Sequence, residues 1–276
     1  MRADNLYEGG DMAVDPRPAA FFDLDKTIIA MSSSSALSRP LLDGGLLTRT
    51  AALRTGYAAL LFHMGGADER KTNRLRDALA ELIRGWDVDR LKEILDETLQ
   101  EYIDPVVFEE ALELIRAHHE LGRDVVIVSA SAHEVVEPIA ALLGADQVIA
   151  TRMAVEDGRF TGGIDFYAFG ENKAVAMRAL ADEMGYDLSR SYAYSDSITD
   201  MPMLAAVGHG YAVNPDRALR REALDKGWGV LHFRRPVALR PSASPASVAV
   251  GAVLIVGAVV AIAVTARALR KRRFGA

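Results

Sequence analysis

Short apolar runs alternate with longer amphipathic segments along most of the chain, and this alternation constrains the fold more than any other feature. We expect helices between these runs, notably at Glu134–Leu143 and Lys173–Met184. Strands separated by helices are typical of a parallel sheet, so we predict an α/β fold with a Rossmann-like sheet. The predicted strands are Ala19–Leu24, Asp124–Ser129, Val148–Arg152, Ser191–Ser195, Gly210–Val213 and Val230–Phe233.

Two segments depart from this alternation. Between Val148 and Lys173, the stretch VEDGRFTGGIDF has glycine-containing turn signals flanked by β-forming residues, which predicts a small hairpin. Residues 32–104 have helical character throughout, with apolar residues three or four apart. This pattern predicts an all-helical cap inserted after the first strand, over the crevice where open α/β sheets bind ligands.

The C-terminal part of the chain contains a long apolar run. Residues 246–266, ASVAVGAVLIVGAVVAIAVTA, carry no charge, and a helix of this length spans a hydrocarbon core of ~30 Å. Five basic residues follow it. We therefore predict a transmembrane helix at residues 247–269 and a basic tail at 270–276, preceded by a Pro- and Ser-rich linker at 234–246.

The N-terminal stretch lacks the apolar region of a secretory signal, so we expect residues 1–17 to be a disordered leader. The α/β core then comprises residues 18–31 and 105–233, around the cap at 32–104. We expect this α/β domain to be cytoplasmic and held at the cell membrane by a single C-terminal anchor. Basic residues on both sides of the apolar run leave two alternatives open: the run crosses the bilayer, or it enters without crossing.

The charge balance argues against a nucleic-acid partner. Five of the 32 basic residues and none of the 38 acidic residues follow Ala246, which leaves 27 basic against 38 acidic residues, a net charge of −11. A domain this acidic repels the phosphates of nucleic acids, so we expect no such partner. The chain has no cysteine, which excludes a disulfide framework and a thiolate zinc site.

Pairs of acidic residues follow two of the predicted strands. Asp23 and Asp25 stand two apart in FFDLDKT, where extended side chains share a face and repel unless a cation lies near them. Asp196 and Asp200 follow the strand Ser191–Ser195 and share one face if the turn is helical. Two such pairs at the carboxyl ends of strands can converge on one hard cation, and oxygen ligands of this kind are preferred by Mg2+.

Two further side chains at the same predicted crevice are suited to an anion. Ser129 ends the second strand, and its hydroxyl can donate beside the free N–H groups of the next helix. Lys173 begins a helix, where a cation opposes the helix dipole and therefore favours an anionic partner. A helix cap is the commoner role for such a serine, and a solvated side chain is the commoner state of such a lysine. Beside the acidic pairs, both residues are expected to share the site with a divalent ion and a bound phosphate.

Taken in order, these elements resemble the four motifs of the haloacid dehalogenase superfamily of phosphatases and phosphotransferases. The motifs are DLDKT, the strand-terminal Ser129, Lys173 and SDSITD, and the resemblance covers roughly residues 19–233. The helical insert resembles the cap of the phosphoserine-phosphatase-like branch, subfamily IB. The stretches VVIVSAS and AVNPDRALRREALDKGW are similar to actinobacterial-type members of that branch, whose substrates are unassigned.

The resemblance implies a Mg2+-dependent phosphomonoester hydrolase. Asp23 would attack phosphorus to form an aspartyl-phosphate, which splits one hard displacement into two. Asp25 would protonate the leaving oxygen and then deprotonate the hydrolytic water. Ser129 and Lys173 would hold the phosphoryl oxygens.

The resemblance also implies a set of metal ligands. Asp23, the backbone carbonyl of Asp25 and Asp196 would bind Mg2+. Asp200 would orient the site or join it through water. The implied partners are a phosphorylated small-molecule or lipid substrate and the membrane.

The substrate is open at this point. Phosphoserine phosphatases carry an acidic residue early in the cap that pairs with the substrate amine, whereas the stretch AMSSSSALSRP has four serines and no acid. Arg39 in this stretch is a candidate for binding a carboxylate or a second phosphate. We therefore expect a different phosphomonoester, small or lipid-linked, with phosphoserine as the alternative.

The sequence argues against two other hypotheses of function. The sequence DKT also occurs in P-type cation pumps, where Asp25 would be phosphorylated, but Ile28 and Ile29 replace the Gly-Thr that continues the pump motif. One terminal apolar run also cannot form an ion pathway. A catalytically inactive, membrane-tethered binding module would be favoured by a missing motif acid, and all of them are present.

Overall fold

A computed structural model of the protein describes residues 16–48, 77–78 and 80–237. The predicted transmembrane helix at 247–269, the basic tail and most of the leader and linker lie outside these residues, as does the middle of the predicted cap. No helix within the described ranges is long and apolar enough to span a bilayer.

The core is a seven-stranded sheet in the order β5-β4-β3-β1-β6-β7-β8. Its strands are β1 Ala19–Asp23, β3 Asp124–Ala132, β4 Gln147–Glu156, β5 Arg159–Phe166, β6 Tyr192–Ser195, β7 His209–Val213 and β8 Gly229–Leu231. Neighbouring strands are parallel except for β4 and β5. The predicted α/β fold with a Rossmann-like sheet is confirmed, with strand ends that differ by a few residues.

Helices connect the strands. Those in the described residues are α1 Ser33–Ala36, α2 Ser38–Asp43, α3 Val88–Ile103, α4 Glu109–Glu120, α5 His133–Leu143, α6 Glu171–Met184, α7 Met201–Ala205 and α8 Arg217–Lys226. Short 3-10 turns cover Asp104–Val106, Leu188–Arg190 and Ile198–Asp200.

The central strand β1 is buried on both faces, which explains its uninterrupted apolar sequence. Phe21 and Phe22 point to opposite faces. Phe22 stacks on Tyr194 with ring centroids 4.4 Å apart, while Phe21 meets the edge of Tyr186 on the other face. Because β1 lies between β3 and β6, the carboxyl ends of all three strands meet at one crevice.

The predicted hairpin is formed by β4 and β5, which pair in antiparallel fashion. Asp157 and Gly158 both have positive φ, 48° and 74°, as the two central residues of a type I′ turn require. The hairpin also supports the start of α3, since Val88 donates its N–H to the Gly158 carbonyl at 3.0 Å. This second contact was not predicted, because it joins segments about 70 residues apart in the sequence.

Of the predicted cap, the structure describes residues 32–48, 77–78 and 80–104, which contain α1, α2 and α3. The chain leaves and re-enters the core through two segments that bond to each other: Ala30 donates to the Val106 carbonyl and Phe108 donates to the Ile28 carbonyl. A two-residue strand, β2 Val107–Phe108, then pairs with β9 Pro236–Val237. Strands this short carry no periodic pattern, so this small sheet was not predicted.

Candidate active site

The crevice at the ends of β1, β3 and β6 brings together most of the predicted site residues. Asp23 is the last residue of β1, and Ser129 lies near the end of β3. Asp196 follows β6 directly. Lys173 reaches the same place from the first turn of α6, which begins after Gly170 at φ 58°, a conformation that favours glycine.

A buried ammonium group connects two carboxylates in this crevice. Lys173 Nζ lies 2.6 Å from Asp23 Oδ1 and 2.8 Å from Asp200 Oδ2, and Lys173 is only 2% exposed. Ser195 donates its hydroxyl to Asp200 Oδ2 at 2.8 Å, and Thr27 donates to Asp23 Oδ2 at 3.3 Å. Both carboxylates are therefore fixed in direction.

The electrostatics of this trio leave negative charge uncompensated. Burial by itself lowers the pKa of Lys173, but Asp200 and Asp23 together outweigh burial and raise that pKa, so the ammonium stays charged. Burial raises the pKa of Asp23, and repulsion from Asp200 and Asp196 adds to the effect, while Lys173 opposes it. One lysine does not balance three carboxylates, so the site is suited to a second cation.

Asp196 contributes to the same imbalance. Burial raises its pKa to about 7, although Lys26 acts in the opposite direction. Lys26 itself is exposed and has φ 66°, in the left-handed region that non-glycine residues rarely adopt, directly after Asp25. Such strained conformations concentrate at functional sites.

The donor set fits a hard divalent cation. Among the described residues no three His, Asp or Glu side chains form a ready metal cluster. The implied ligand set does not need one, because it takes two carboxylates, Asp23 and Asp196, and one backbone carbonyl, that of Asp25. All of these donors are oxygen atoms, and burial raises the pKa of both carboxylates, so a cation there would relieve their repulsion.

Asp25 faces a different set of partners. Ser33 donates its backbone N–H to Asp25 Oδ1 at 2.5 Å, and the hydroxyls of Ser33 and Ser131 lie 3.3 and 3.1 Å from Oδ2. Burial raises the pKa of Asp25, and the hydrogen bonds from Ser33 and Ser131 oppose the increase. A carboxyl group with a raised pKa is suited to hold and release a proton.

The remaining predicted residues are Ser129 and Arg39. Ser129 is buried, and its hydroxyl accepts the N–H of Ser131 at 3.1 Å, which leaves the hydroxyl proton able to donate to an anion. Arg39 is exposed on α2 and lies 3.7 Å from Asp43, one helical turn away. The substrate-binding role of Arg39 stays a prediction.

Four further polar residues belong to this site and were given no role from the sequence. Thr27 and Ser195 lie inside the motifs DLDKT and SDSITD, whereas Ser131 lies inside VVIVSAS and Ser33 inside the serine run. The contact between Ser33 and Ser131 joins residues 98 positions apart. No local pattern marks a contact of that kind.

Known proteins resemble this chain in sequence. The sequence model of the haloacid dehalogenase-like hydrolases matches residues 20–205. The chain is 58% identical over 246 residues to the inhibition of morphological differentiation protein of Streptomyces azureus, covering 86% of this chain and 89% of that protein. It is 52% identical over 268 residues to a protein of Mycobacterium tuberculosis named "probable phosphatase", covering 96% and 93%. A phosphoserine phosphatase of the same organism is 34% identical over 242 residues, covering 87% and 78%.

Solved structures share the fold. A protein of unknown function from Bordetella pertussis superposes with a TM-score of 0.69 at 29% identity, covering 78% of this chain and 98% of that one. A phosphoserine phosphatase solved as a phospho-aspartyl intermediate analogue gives a TM-score of 0.57 at 18% identity, covering 80% and 95%. At that identity the second likeness concerns the fold alone.

Proposed function

The chain belongs to the haloacid dehalogenase-like hydrolase family, and on that premise we propose that it is a Mg2+-dependent phosphatase that forms an aspartyl-phosphate on Asp23. One observation carries the proposal: the two carboxylates of DLDKT face different partners. Asp23 faces Lys173 at 2.6 Å, while Asp25 faces Ser33 and Ser131. This division supports a nucleophile beside a phosphate-binding cation and a separate proton donor.

In the first step a carboxylate oxygen of Asp23 bonds to phosphorus while the bond from phosphorus to the ester oxygen breaks. Asp25 gives its proton to that leaving oxygen, so the alcohol departs neutral. Lys173 and Ser129 donate to the phosphoryl oxygens and keep the group aligned with Asp23.

In the second step Asp25, now a carboxylate, takes a proton from a water molecule. The water oxygen bonds to phosphorus, the bond from phosphorus to Asp23 breaks, and inorganic phosphate leaves. Both aspartates return to their starting states, so the cycle needs no other reactant than water.

The chain's own groups also provide for a metal. Asp23, the backbone carbonyl of Asp25 and Asp196 would hold Mg2+, which when bound supplies positive charge to the phosphoryl oxygens. Asp200 accepts hydrogen bonds from Lys173 and Ser195, so its role here is to fix the position of the lysine. A contact between Asp200 and the metal stays a prediction.

Purified protein is expected to release phosphate from phosphomonoesters in the presence of Mg2+, and EDTA is expected to remove the activity until Mg2+ is restored. A screen across amino-acid, sugar and lipid phosphates checks this by phosphate release. Activity that survives exhaustive EDTA treatment would contradict the metal requirement. A protein that binds Mg2+ but turns over no ester would instead fit the inactive binding module.

The same screen distinguishes the two hypotheses for the substrate. We favour a small or lipid-linked phosphomonoester other than phosphoserine, because the described part of the cap's first turn, Ser33–Ala36, presents serines where an amine-binding acid is expected. The M. tuberculosis relative named phosphoserine phosphatase supports phosphoserine as the second candidate. A kcat/KM for phosphoserine above that for every other ester would decide for the second candidate.

We also propose that residues 247–269 anchor the enzyme in the cell membrane with the catalytic domain in the cytoplasm. The uncharged run at 246–266 supports this placement, since its length matches the bilayer. Spheroplasts carrying a C-terminal epitope tag are expected to lose the tag to external protease while the domain is protected. A protected tag on membrane-bound protein would indicate entry without crossing, and protein in the soluble fraction after gentle lysis would contradict the anchor.

A further inference from the structure

We propose that Ser131, together with Ser33, is the positioning residue that aims the carboxyl group of Asp25 at the leaving oxygen of the substrate. The inference rests on the proposed function, because it concerns the proton donor of that reaction. It goes beyond the motif residues, which are the two acidic pairs, Ser129 and Lys173, because it assigns a role to two other serines.

The Asp25 carboxyl is held at both oxygens. Oδ1 accepts the Ser33 N–H at 2.5 Å, and Oδ2 lies 3.1 Å from the Ser131 hydroxyl and 3.3 Å from the Ser33 hydroxyl. The two hydroxyls are themselves 2.9 Å apart. Three donors in a closed set fix the rotation of the carboxyl group, which a single hydrogen bond would leave free.

Ser131 also connects the proton donor with a phosphate-binding group. Its backbone N–H donates to the Ser129 hydroxyl at 3.1 Å while its side chain donates to Asp25. One residue at the end of β3 therefore sets the direction of two groups that act on the same substrate. The strand register shifts between Ser129 and Ala132, and such a bulge re-aims side chains at the end of a strand.

Ser33 brings the cap into the same network. It is fully buried at the start of α1, the first element after the loop that carries Asp25. The proton donor is thus held from the core by Ser131 and from the cap by Ser33. Asp25 is correctly aimed only when α1 is seated against the core.

The chemistry of the leaving group gives a test that a purely structural role would not meet. An alkyl phosphate releases a strongly basic alkoxide unless a proton arrives as the bond breaks, so it depends on a well-aimed Asp25. An aryl phosphate such as p-nitrophenyl phosphate releases a weakly basic phenolate, so the first step of its reaction depends little on the proton donor. The second step, in which Asp25 activates water, is the same for both esters. Loss of aim should therefore slow the first step far more for the alkyl ester than for the aryl ester.

The experiment compares glycerol phosphate with p-nitrophenyl phosphate in the full-length enzyme and its Ser131→Ala variant. We expect kcat/KM, which reports the steps up to formation of the aspartyl-phosphate, to fall by ~10- to 100-fold on the alkyl ester and by less than about threefold on the aryl ester. Ser33→Ala should show the same bias to a smaller degree, because its N–H remains on Oδ1. Ser131→Thr keeps a hydroxyl and should restore most of the alkyl activity.

Ser34→Ala is the matched control, since Ser34 is exposed beside Ser33 and bonds only to Ser32 among the described contacts. Equal losses of kcat/KM on both esters in Ser131→Ala, or no loss on either, would overturn the inference while the proposed function stands. Absence of turnover by the wild-type enzyme on these two esters and on every other ester of the screen would overturn the proposed function and this inference with it. If Ser131→Ala does not fold, the bias between esters in Ser33→Ala decides in the same way, and Ser131→Thr should show no such bias.

Discussion

Asp23→Asn is expected to abolish turnover while leaving the fold intact. The amide cannot act as the nucleophile, so kcat should fall by at least ~10³-fold. Asn is isosteric with Asp, and its carbonyl oxygen can still accept from Lys173, which keeps its second partner Asp200. Burial already disfavours the ionised form of Asp23, so removing that charge should change the free energy of unfolding by no more than about 2 kcal/mol.

Phosphate release and thermal unfolding, measured on the same preparation, check both parts of this expectation. Asp182→Asn is the control, because Asp182 is exposed near the end of α6, away from the crevice. Full activity in Asp23→Asn would rule out Asp23 as the nucleophile. If Asp23→Asn still formed a phosphorylated enzyme from p-nitrophenyl phosphate while Asp25→Asn did not, the pump-like register with Asp25 as nucleophile would gain support.

The sequence predicted those parts of the site that depend on one strand and the turn after it. Asp23 and Asp196 each end or follow an apolar run, so the strands that place them could be recognised locally. Parallel pairing of β1 with β3 and β6 then brings their ends together without further information. Lys173 was found by a physical conflict, a cation at a helix N-terminus, and the structure resolves that conflict with Asp23 and Asp200.

The parts that escaped prediction depend on contacts between distant segments. Ser33 and Ser131 look like solvent-exposed or capping serines in isolation, and they meet on Asp25 only because α1 packs at the end of β3. The pairing of Val107–Phe108 with Pro236–Val237 likewise joins two segments of two residues each. A strand is recognised by hydrophobic periodicity only in longer segments than these, so the sequence does not predict the pairing.

Two kinds of contact hold the C-terminal end of the core against the connection to the cap: ion pairs of Arg235 and the pairing of β2 with β9. Arg235 pairs with Glu109 at 2.9 Å and with Glu110 at 3.4 Å, at the start of α4 and beside the re-entry of the chain from the cap. These exposed pairs contribute little energy singly. Together with the β2–β9 pairing, these ion pairs hold residues 235–237 against the segment where the chain returns from the cap. Ser33 lies at the other end of the cap segment.

Lys173→Met is expected to destabilise the protein and to inactivate it. The substitution leaves Asp23 and Asp200 buried without their shared cation, and breaking a buried pair in this way costs about 3 to 5 kcal/mol of the free energy of unfolding. The phosphoryl group also loses a charged donor, so kcat should fall by ~10²- to 10³-fold or more. Lys92→Met, at an exposed position on α3, is the matched control for both measurements.

The pH dependence of the loss of stability in Lys173→Met identifies the cause of that loss. Without Lys173 the pKa of Asp23, already raised by burial, rises further above the ordinary value of 3.8 in the folded protein. The folded state then binds protons more tightly than the unfolded state, so its stability increases as the pH falls and decreases as the pH rises through that pKa. Denaturant unfolding should therefore show that Lys173→Met is destabilised less, relative to the wild type, at pH 5 than at pH 8. The double variant Lys173→Met/Asp200→Asn should recover stability but no activity. Equal deficits at both pH values, or a double variant as unstable as the single one, would show that Lys173 does not stabilise the fold by compensating buried carboxylates.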